Sequence, residues 1–510
     1  MSKMIKVGIF WVIPDRICGQ RVLEFHKGYY ASEADRNGFI NYPYSHYDIW
    51  YNAVKGLTDD CYYYPRGRVL YNAKNNKHRI FADECLDEYV LQDIIESFEI
   101  ESYELCRDEH YVSAFMKKHI NRKAHAPMLE YKILRGKDKI GENLIELTYG
   151  DTKILVELGK ALDGGDELSD TEKNVLQTRY DGVVVSHYHA DHAGLIEYKN
   201  DCPIYIGNGA YRIVSAMSEY RGKQIADNVI TYKNGRAFTV GGIKITPFLC
   251  DHSAFDSYML LCEAGGKSIL YTGDFRFHGR KNSGELLSRL PKKVNTLICE
   301  GTNIGSDKPC FSESELENKL VDVMLGNDMP VFVLQSATNI DRLVGVYRAS
   351  KRSNRILYED NFTALIACAA GGKIPRPDIF KDVIAFTPRL VRGKRKDMFF
   401  EMENKIGLKD IASGTKRFTM TVRPTMLGYL KKLFAAADIK NATLIYSMWN
   451  GYKANKDMSD FLDAAESLGM NIVDLHTSGH ASAGDIELLK QTVGADEYVS
   501  VHTCPNCGLK

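Results

Sequence analysis

The stretch Ser186-His187-Tyr188-His189-Ala190-Asp191-His192 constrains this chain more than any other. It follows an apolar run, Val183-Val184-Val185, that reads as a buried strand. From Asp191 towards Tyr198 the pattern reads as a helix start, with an acidic residue in the first turn. The cluster therefore belongs on a strand-to-helix turn at the carboxyl edge of a sheet, where ligands of open α/β folds gather. His187 and His189 are two residues apart, so in extended chain they point the same way. Asp191 and His192 fall where the chain turns and face a second point. Imidazole and carboxylate donors suit zinc at about 2.0–2.2 Å. Two adjoining sub-sites imply two metals roughly 3.5–4 Å apart. One turn cannot complete two metal shells, so further ligands are expected downstream.

Candidates for them end later strands. His252 follows the strand pattern Ile243–Leu249, Asp274 closes the run from Lys267 to Phe275, and Glu300 ends the run from Val294 to Gly301. Near the carboxyl terminus, His476-Thr477-Ser478-Gly479-His480 and Tyr498-Val499-Ser500-Val501-His502 end two more. Upstream, Glu157 ends the strand pattern Thr152–Gly159; a buried carboxylate there costs several kcal/mol unless it is paired or orients a ligand.

Lys+Arg and Asp+Glu balance at 66 each, so no global positive field attracts nucleic acid. Any polyanion site must be a local cleft. No apolar run approaches about 18 residues, which argues against a membrane span. The beginning of the chain has no signal-peptide pattern, and twelve scattered cysteines read as reduced thiols; a cytoplasmic protein is expected.

Residues 1–127 read as a separate, tyrosine-rich α+β module. Strands are expected at Val7–Ile13 and after Pro65, and a helix at Leu86–Phe98. Its tyrosines, interleaved with His46, Arg66 and Arg68, could stack on bases, or simply pack; the module is expected to bind a protein or nucleic acid. Residues 118–127 read as a linker. From 128 to 300 strands dominate. From 301 to 464 strands and helices alternate, which implies a parallel sheet. A basic run, Arg389, Arg392, Lys394, Arg395 and Lys396, faces either phosphates or water. Residues 465–510 return to the first core. Cys504 and Cys507 form half of a zinc-ribbon pattern, weak by itself.

His187-Tyr188-His189-Ala190-Asp191-His192 resembles the metal turn of the metallo-β-lactamase fold, and His252 and Asp274 match its next motifs. Glu300-Gly301-Thr302, Ser478-Gly479-His480-Ala481 and His502 resemble motifs A, B and C of the β-CASP nucleases, which include ribonuclease J and the cleavage-and-polyadenylation endonuclease. The resemblance covers residues 128–510. It implies an αββα sandwich with an inserted α/β β-CASP cap and a nuclease groove between them. It also implies His187, His189 and His252 on one zinc, Asp191, His192 and His502 on the other, and Asp274 bridging, with manganese as the alternative metal. Asp191, Glu300 and His480 are the implied catalytic residues. A metal-activated hydroxide would attack phosphorus, and His480, kept protonated by Glu300, would give its proton to the leaving oxygen. A histidine at motif C accompanies RNA-type members, so the expected substrate is RNA. Ser478 and Arg342 are read as substrate-binding, Glu157 as a supporting residue behind the metal ligands, and a homodimer stays open.

Three departures accompany the resemblance. Motif 1 is usually Asp, but Glu157 stands here. The sequence ends soon after His502, so the extra carboxy-terminal domain of ribonuclease J is expected to be missing. The amino-terminal module has no counterpart in those enzymes. The rival readings are hydrolysis of a small ester, thioester or lactone, a DNA nuclease, and a regulatory protein with a degenerate site.

Overall fold

A computed structural model describes residues 127–161, 167–225, 227–305, 310–388 and 404–503, together with the backbone of short strands before residue 107. The chain divides into two units, Met1–Pro127 and Met128–Lys510.

In the first unit, strands Ile5–Val7, Phe10–Ile17, Gln20–Lys27, Gly67–Asn72, Lys77–Ala82 and Tyr103–Cys106 form one six-stranded sheet in chain order. The strand expected over Val7–Ile13 is thus two strands, paired antiparallel. The expected helix at Leu86–Phe98, the side chains of His46, Arg66 and Arg68, and the 118–126 linker lie outside the described residues, as do the basic run at 389–396 and Cys504 and Cys507.

The second unit is built on two six-stranded sheets. The first runs, edge to edge, Val229–Tyr232, Ile204–Gly207, Gly182–Val185, Thr152–Val156, Leu144–Tyr149 and Glu130–Arg135. The second runs Phe238–Val240, Ile243–Cys250, Ser257–Ala264, Lys267–Tyr271, Thr296–Glu300 and Glu497–Val501. Ile145, Val156, Val184, Ile245, Leu260, Ile298 and Val501 from both sheets share one core, so the sheets pack face to face. Gly182–Val185 is buried on both faces, which explains its unbroken apolar run rather than an alternation. The outer face of the first sheet packs on helix Asn208–Tyr220, through Ile204, Ala210 and Ile213. That of the second packs on helices Ser283–Arg289 and Ala483–Val493, through Leu286, Ile486 and Leu489. The result is the expected αββα sandwich.

A cap of seven parallel strands lies between Thr296–Glu300 and Glu497–Val501 in the chain. Its order is Lys405–Ile406, Val383–Phe386, Ile356–Asp360, Phe418–Val422, Val331–Leu334, Thr443–Tyr446 and Asn471–Asp474. Asn471–Asp474 pairs with Thr443–Tyr446, so the chain leaves the cap after Asp474, not near 464. Its last core strand then pairs in parallel with Thr296–Glu300, Glu300 opposite Val501. This single pairing sets His502 beside Glu300 although about two hundred residues, most of them cap, separate them.

Candidate metal centre

Each implied ligand sits where a core strand gives way to a loop. The strand Gly182–Val185 ends just before His187, and the short helix Ala190–Ala193 begins at once with His189 as its cap residue. His252 follows Ile243–Cys250. Lys267–Tyr271 stops three residues short of Asp274, because Gly273 takes a left-handed φ of 52° beside Ser186 Oγ and Cβ. A side chain on Gly273 would meet Ser186 at under 3 Å, so glycine is required for Asp274 to turn inward.

These turns bring the predicted ligands together. His187, His189 and His252 form one group and Asp191, His192, Asp274 and His502 another, each with donor atoms within 4.8 Å of one another. The first three rings stand edge to face in a near-equilateral triangle, with centroids 4.9, 4.8 and 4.9 Å apart. Asp274 Oδ2 is the shared point. It lies 3.2 Å from His192 Nε2, 3.8 Å from His252 Nε2, 3.8 Å from His502 Nε2 and 3.9 Å from His187 Nε2.

The outer nitrogens are held by partners of their own. His187 Nδ1 lies 2.9 Å from Ser186 Oγ, His252 Nδ1 2.6 Å from the Gly479 carbonyl, and His502 Nδ1 2.8 Å from Thr302 Oγ1. His192 Nδ1 is 3.2 Å from Glu157. Oxygen partners on the far side fix each ring and turn the other nitrogen inward, the arrangement of metal-ligating histidines. Burial depresses His187 and His252 well below the usual imidazole range and brings His189 to about 4, so all three keep their lone pairs at neutral pH. Burial raises Asp274, but the facing His192, His502 and His480 outweigh it and hold the carboxyl ionised. His187 Nε2 and Asp274 Oδ1 are buried without a hydrogen-bond partner. Buried polar atoms left so cost about 1–3 kcal/mol each, and a cation between them would satisfy both. This donor set fits two divalent cations.

Glu157 is fully buried and takes a left-handed φ of 72°. The conformation is held because Oε2 accepts the Ser186 N–H at 3.1 Å while Oε1 faces His192. It therefore supports His192 from behind. Its backbone follows Thr152–Val156 directly, so the longer side chain in place of Asp is accommodated by a turn.

His480 and Glu300 form a third such group with Asp274 and His502; His480 Nδ1 is 3.0 Å from Glu300 Oε2 and 3.6 Å from Asp274 Oδ2. Burial lowers its pKa, but Glu300 and then Asp274 outweigh this and raise it to about 9. Glu300 is fixed in turn, its Oε1 accepting the Phe275 N–H at 2.8 Å. Ser482 and Asp485 form a reciprocal capping box that starts helix Ala483–Val493 directly after the His480 loop.

Arg342 is a correction. It does not reach a substrate groove: it is fully buried, its guanidinium 3.4 Å from Glu313 and donating to the carbonyls of Ser447 and Thr477 at 3.2 and 3.3 Å. It works with Arg276, also fully buried, which pairs with Asp251 at 2.7 Å, Asp341 at 2.8 Å and Glu313 at 2.9 Å, and donates to Ser478 O at 3.0 Å. Burial raises Glu313, yet Arg342 and Arg276 hold it down at about 2. The pair of arginines ties the core, the cap and the 477–480 loop. Ser478 lies in that loop, its Oγ accepting from Asn303 Nδ2 and the His480 N–H, both at 3.1 Å. Sequence reasoning missed Asn143, whose Nδ2 touches His192 Nε2 at 3.1 Å, as well as Arg276 and Asn303, and it quoted Thr302 in the first of the three motifs without giving it a role. Arg276 lies only two residues past Asp274, which was the available signal.

Residues 167–321 match the family model of a beta-lactamase superfamily domain. A ribonuclease J of Mycobacterium tuberculosis (strain CDC 1551 / Oshkosh) is 26% identical over 239 residues, 44% of this chain and 42% of that one. Ribonuclease J 2 of Streptococcus pyogenes serotype M3 is 22% identical, over 60% of this chain and 56% of that one. The chain has the metallo-β-lactamase fold and is similar to ribonuclease J over part of its length. An RNase J-like protein of Methanocaldococcus jannaschii is 26% identical over 46% of this chain and 58% of its own. The match thus spans under half of the Mycobacterium relative's length. A crystal structure of a protein of unknown function from Enterococcus faecalis V583 shares the fold at a TM-score of 0.60 and 19% identity, over 75% of this chain and 96% of that one. This metallo-β-lactamase fold carries its β-CASP-type cap in one unit with the core. No helix among the described residues is long and apolar enough to cross a membrane.

Proposed function

We propose that the chain is a two-metal phosphodiesterase that cleaves RNA. The observation that carries it is the Glu300–His480 pair, set 3.6 Å from Asp274, whose Oδ2 lies within 4 Å of histidines of both metal groups. His187, His189 and His252 would hold one zinc, and Asp191, His192 and His502 the other, with Asp274 between. Two such cations would supply an activated water nucleophile and neutralise charge developing on the phosphoryl oxygens. The chain's residues do the rest. Glu157, Ser186, Thr302 and Gly479 hold the imidazoles in place. His480, protonated at neutral pH through Glu300, donates to the leaving oxygen, which is worth roughly 10²–10⁴-fold. Ser478 is the substrate contact that remains after Arg342 is withdrawn. Zinc follows from the nitrogen-rich donor set, and manganese is the alternative. The matched relatives bear the name ribonuclease J, which supports RNA as substrate.

The rival is a hydrolase of small esters, thioesters or lactones on the same metal turn. Its site would have no use for a carboxylate-held imidazolium beside the metals. The zinc-loaded chain is offered end-labelled RNA, DNA, a generic phosphodiester and a thioester. Cleavage of RNA with turnover well above DNA is expected. Turnover of non-phosphate esters alone would overturn the reading.

A further inference from the structure

The described cysteines are not alike. Cys202, Cys250, Cys262 and Cys299 are buried, and burial raises the thiols of Cys202 to about 11 and Cys262 to about 12. Cys368 faces Asp378, and burial followed by that carboxylate raises it to about 12. Cys310 differs in its partners. It lies just before helix Glu313–Leu325 of the cap, half-buried, with Sγ 3.1 Å from His278 Nε2 and 3.6 Å from Thr477 Oγ1.

His278 comes from the core loop after Asp274. Its Nδ1 is 3.6 Å from Asp485 Oδ2, and its Nε2 is 2.9 Å from the Ser478 carbonyl. The Asp485 carboxylate and the Ser478 carbonyl can only accept, one at each nitrogen, so the ring keeps both protons. Burial lowers its pKa, but Asp485, Cys310 and the Ser478 carbonyl raise it to about 9. Two further charges are near: Arg276 shares the Ser478 carbonyl at 3.0 Å and is paired with Asp251, Glu313 and Asp341, and Arg342 donates to the Thr477 carbonyl and faces Glu313. An imidazolium against sulfur favours the thiolate, and the Cys310 thiol is pulled below its ordinary value although burial opposes this. Cysteine, histidine and carboxylate arrive from three separate segments in the order of an activated nucleophile. None of the three belongs to the metal groups.

We propose that Cys310 is a reactive thiolate held by the His278–Asp485 pair, a site of modification by peroxide and soft electrophiles, mechanically joined to the loop that carries His480. With hydrogen peroxide the sulfur attacks one oxygen. The S–O bond forms as the O–O bond breaks, and the departing hydroxide takes the His278 proton and leaves as water. Sulfur is oxidised by two electrons to a sulfenic acid and the peroxide is reduced by two. The product loses the charge that faced His278 and adds an oxygen to a 3.1 Å gap. The ring must shift, and with it the Ser478 carbonyl, two residues before His480. The thiol chemistry stands apart from the nuclease reading; its effect on rate rests on that reading.

The test is limiting iodoacetamide on the full chain across a pH series, with Cys310 alkylation followed by peptide mass mapping. Cys310 should react before Cys202, Cys250, Cys262, Cys299 and Cys368, with a midpoint below the roughly 8.5 of a free thiol. His278→Gln should slow its alkylation at pH 7 by about fivefold or more, the thiolate fraction falling to that of an ordinary cysteine. A midpoint of 8.5 or above in the wild-type chain, or a rate untouched by His278→Gln, overturns the assignment. Peroxide, with dimedone as trap, should then mark Cys310 and slow single-turnover RNA cleavage severalfold, reversibly by thiol, while Cys310→Ser keeps its rate. Full sulfenylation at an unchanged rate would break the link to the loop. A chain that alkylates as expected yet cleaves no RNA supports the thiolate and overturns only the nuclease reading.

Discussion

Glu300→Gln removes one charge and almost no volume from the site. The carboxylate lies 3.0 Å from His480 Nδ1, with the Glu300 side chain 1% and that of His480 23% exposed. Opposite unit charges at that distance interact by about 5 kcal/mol at an effective dielectric near 20, an upper bound for a partly solvated ring. The rise of His480 from 6.5 to about 9 is the net of that attraction, the smaller pull of Asp274 and the opposing burial. Losing Glu300 should therefore lower His480 by about two units, equal to about 3 kcal/mol, to near 7. At pH 8 the protonated fraction falls from about nine-tenths to about one-tenth, so cleavage should slow about tenfold from protonation alone. At pH 6 both proteins keep the proton and the deficit should shrink to what lost orientation causes. A pKa raised by folding stabilises fully below pH 6.5, and that contribution, at most about 3 kcal/mol, disappears as pH rises through 9. The imidazole is titrated by NMR in the metal-free protein, since bound cations would lower both values together, and single-turnover cleavage is measured at pH 6 and 8. An equal deficit at the two pH values, or an unmoved His480 titration, refutes the role given to Glu300.

Other substitutions probe separate parts of the account. His480→Ala should retain both metals and lose roughly 10²–10⁴ in single-turnover rate; metal loss measured by elemental analysis would contradict its placement as a proton donor. Glu157→Gln should weaken metal binding at the His192 side by about 10–100-fold, read by chelator competition, because the ring loses its oriented partner. Arg342→Leu should destabilise the fold by about 3–5 kcal/mol in urea, since Glu313 is left buried beside Arg276 alone. A changed KM with unchanged stability would instead restore Arg342 to substrate binding.

The ligands were legible because their chemistry is written locally: His187 to His192 share one turn, and Asp274 and Glu300 close apolar runs. The pairing that brings His502 to them was legible only through resemblance, because no local pattern says that Glu497–Val501 rejoins Thr296–Glu300. Strand Ser257–Ala264 went unread, its six leading residues buried on both faces and thus without the alternation that marks a half-exposed strand. Arg342 was misread for a general reason. A lone arginine in a sequence suggests water or phosphate, and its burial depends on Glu313 and the Thr477 and Ser447 carbonyls, none of which is near it in the chain. The exit from the cap was placed ten residues early because residues 465–510 were read together as the return to the core, and Asn471–Asp474, exposed at both ends and half-buried between, carries no local mark of the cap sheet.

The account turns on whether His187, His189, His252, Asp191, His192, His502 and Asp274 hold two cations together. The direct measurement is native mass spectrometry of the metal-stripped chain titrated with zinc and, separately, manganese. Two ions per chain at saturation are predicted, falling to one in His189→Ala, with RNA cleavage returning only as the second ion binds. Saturation at no ion, or the same stoichiometry in His189→Ala as in the wild type, would contradict it.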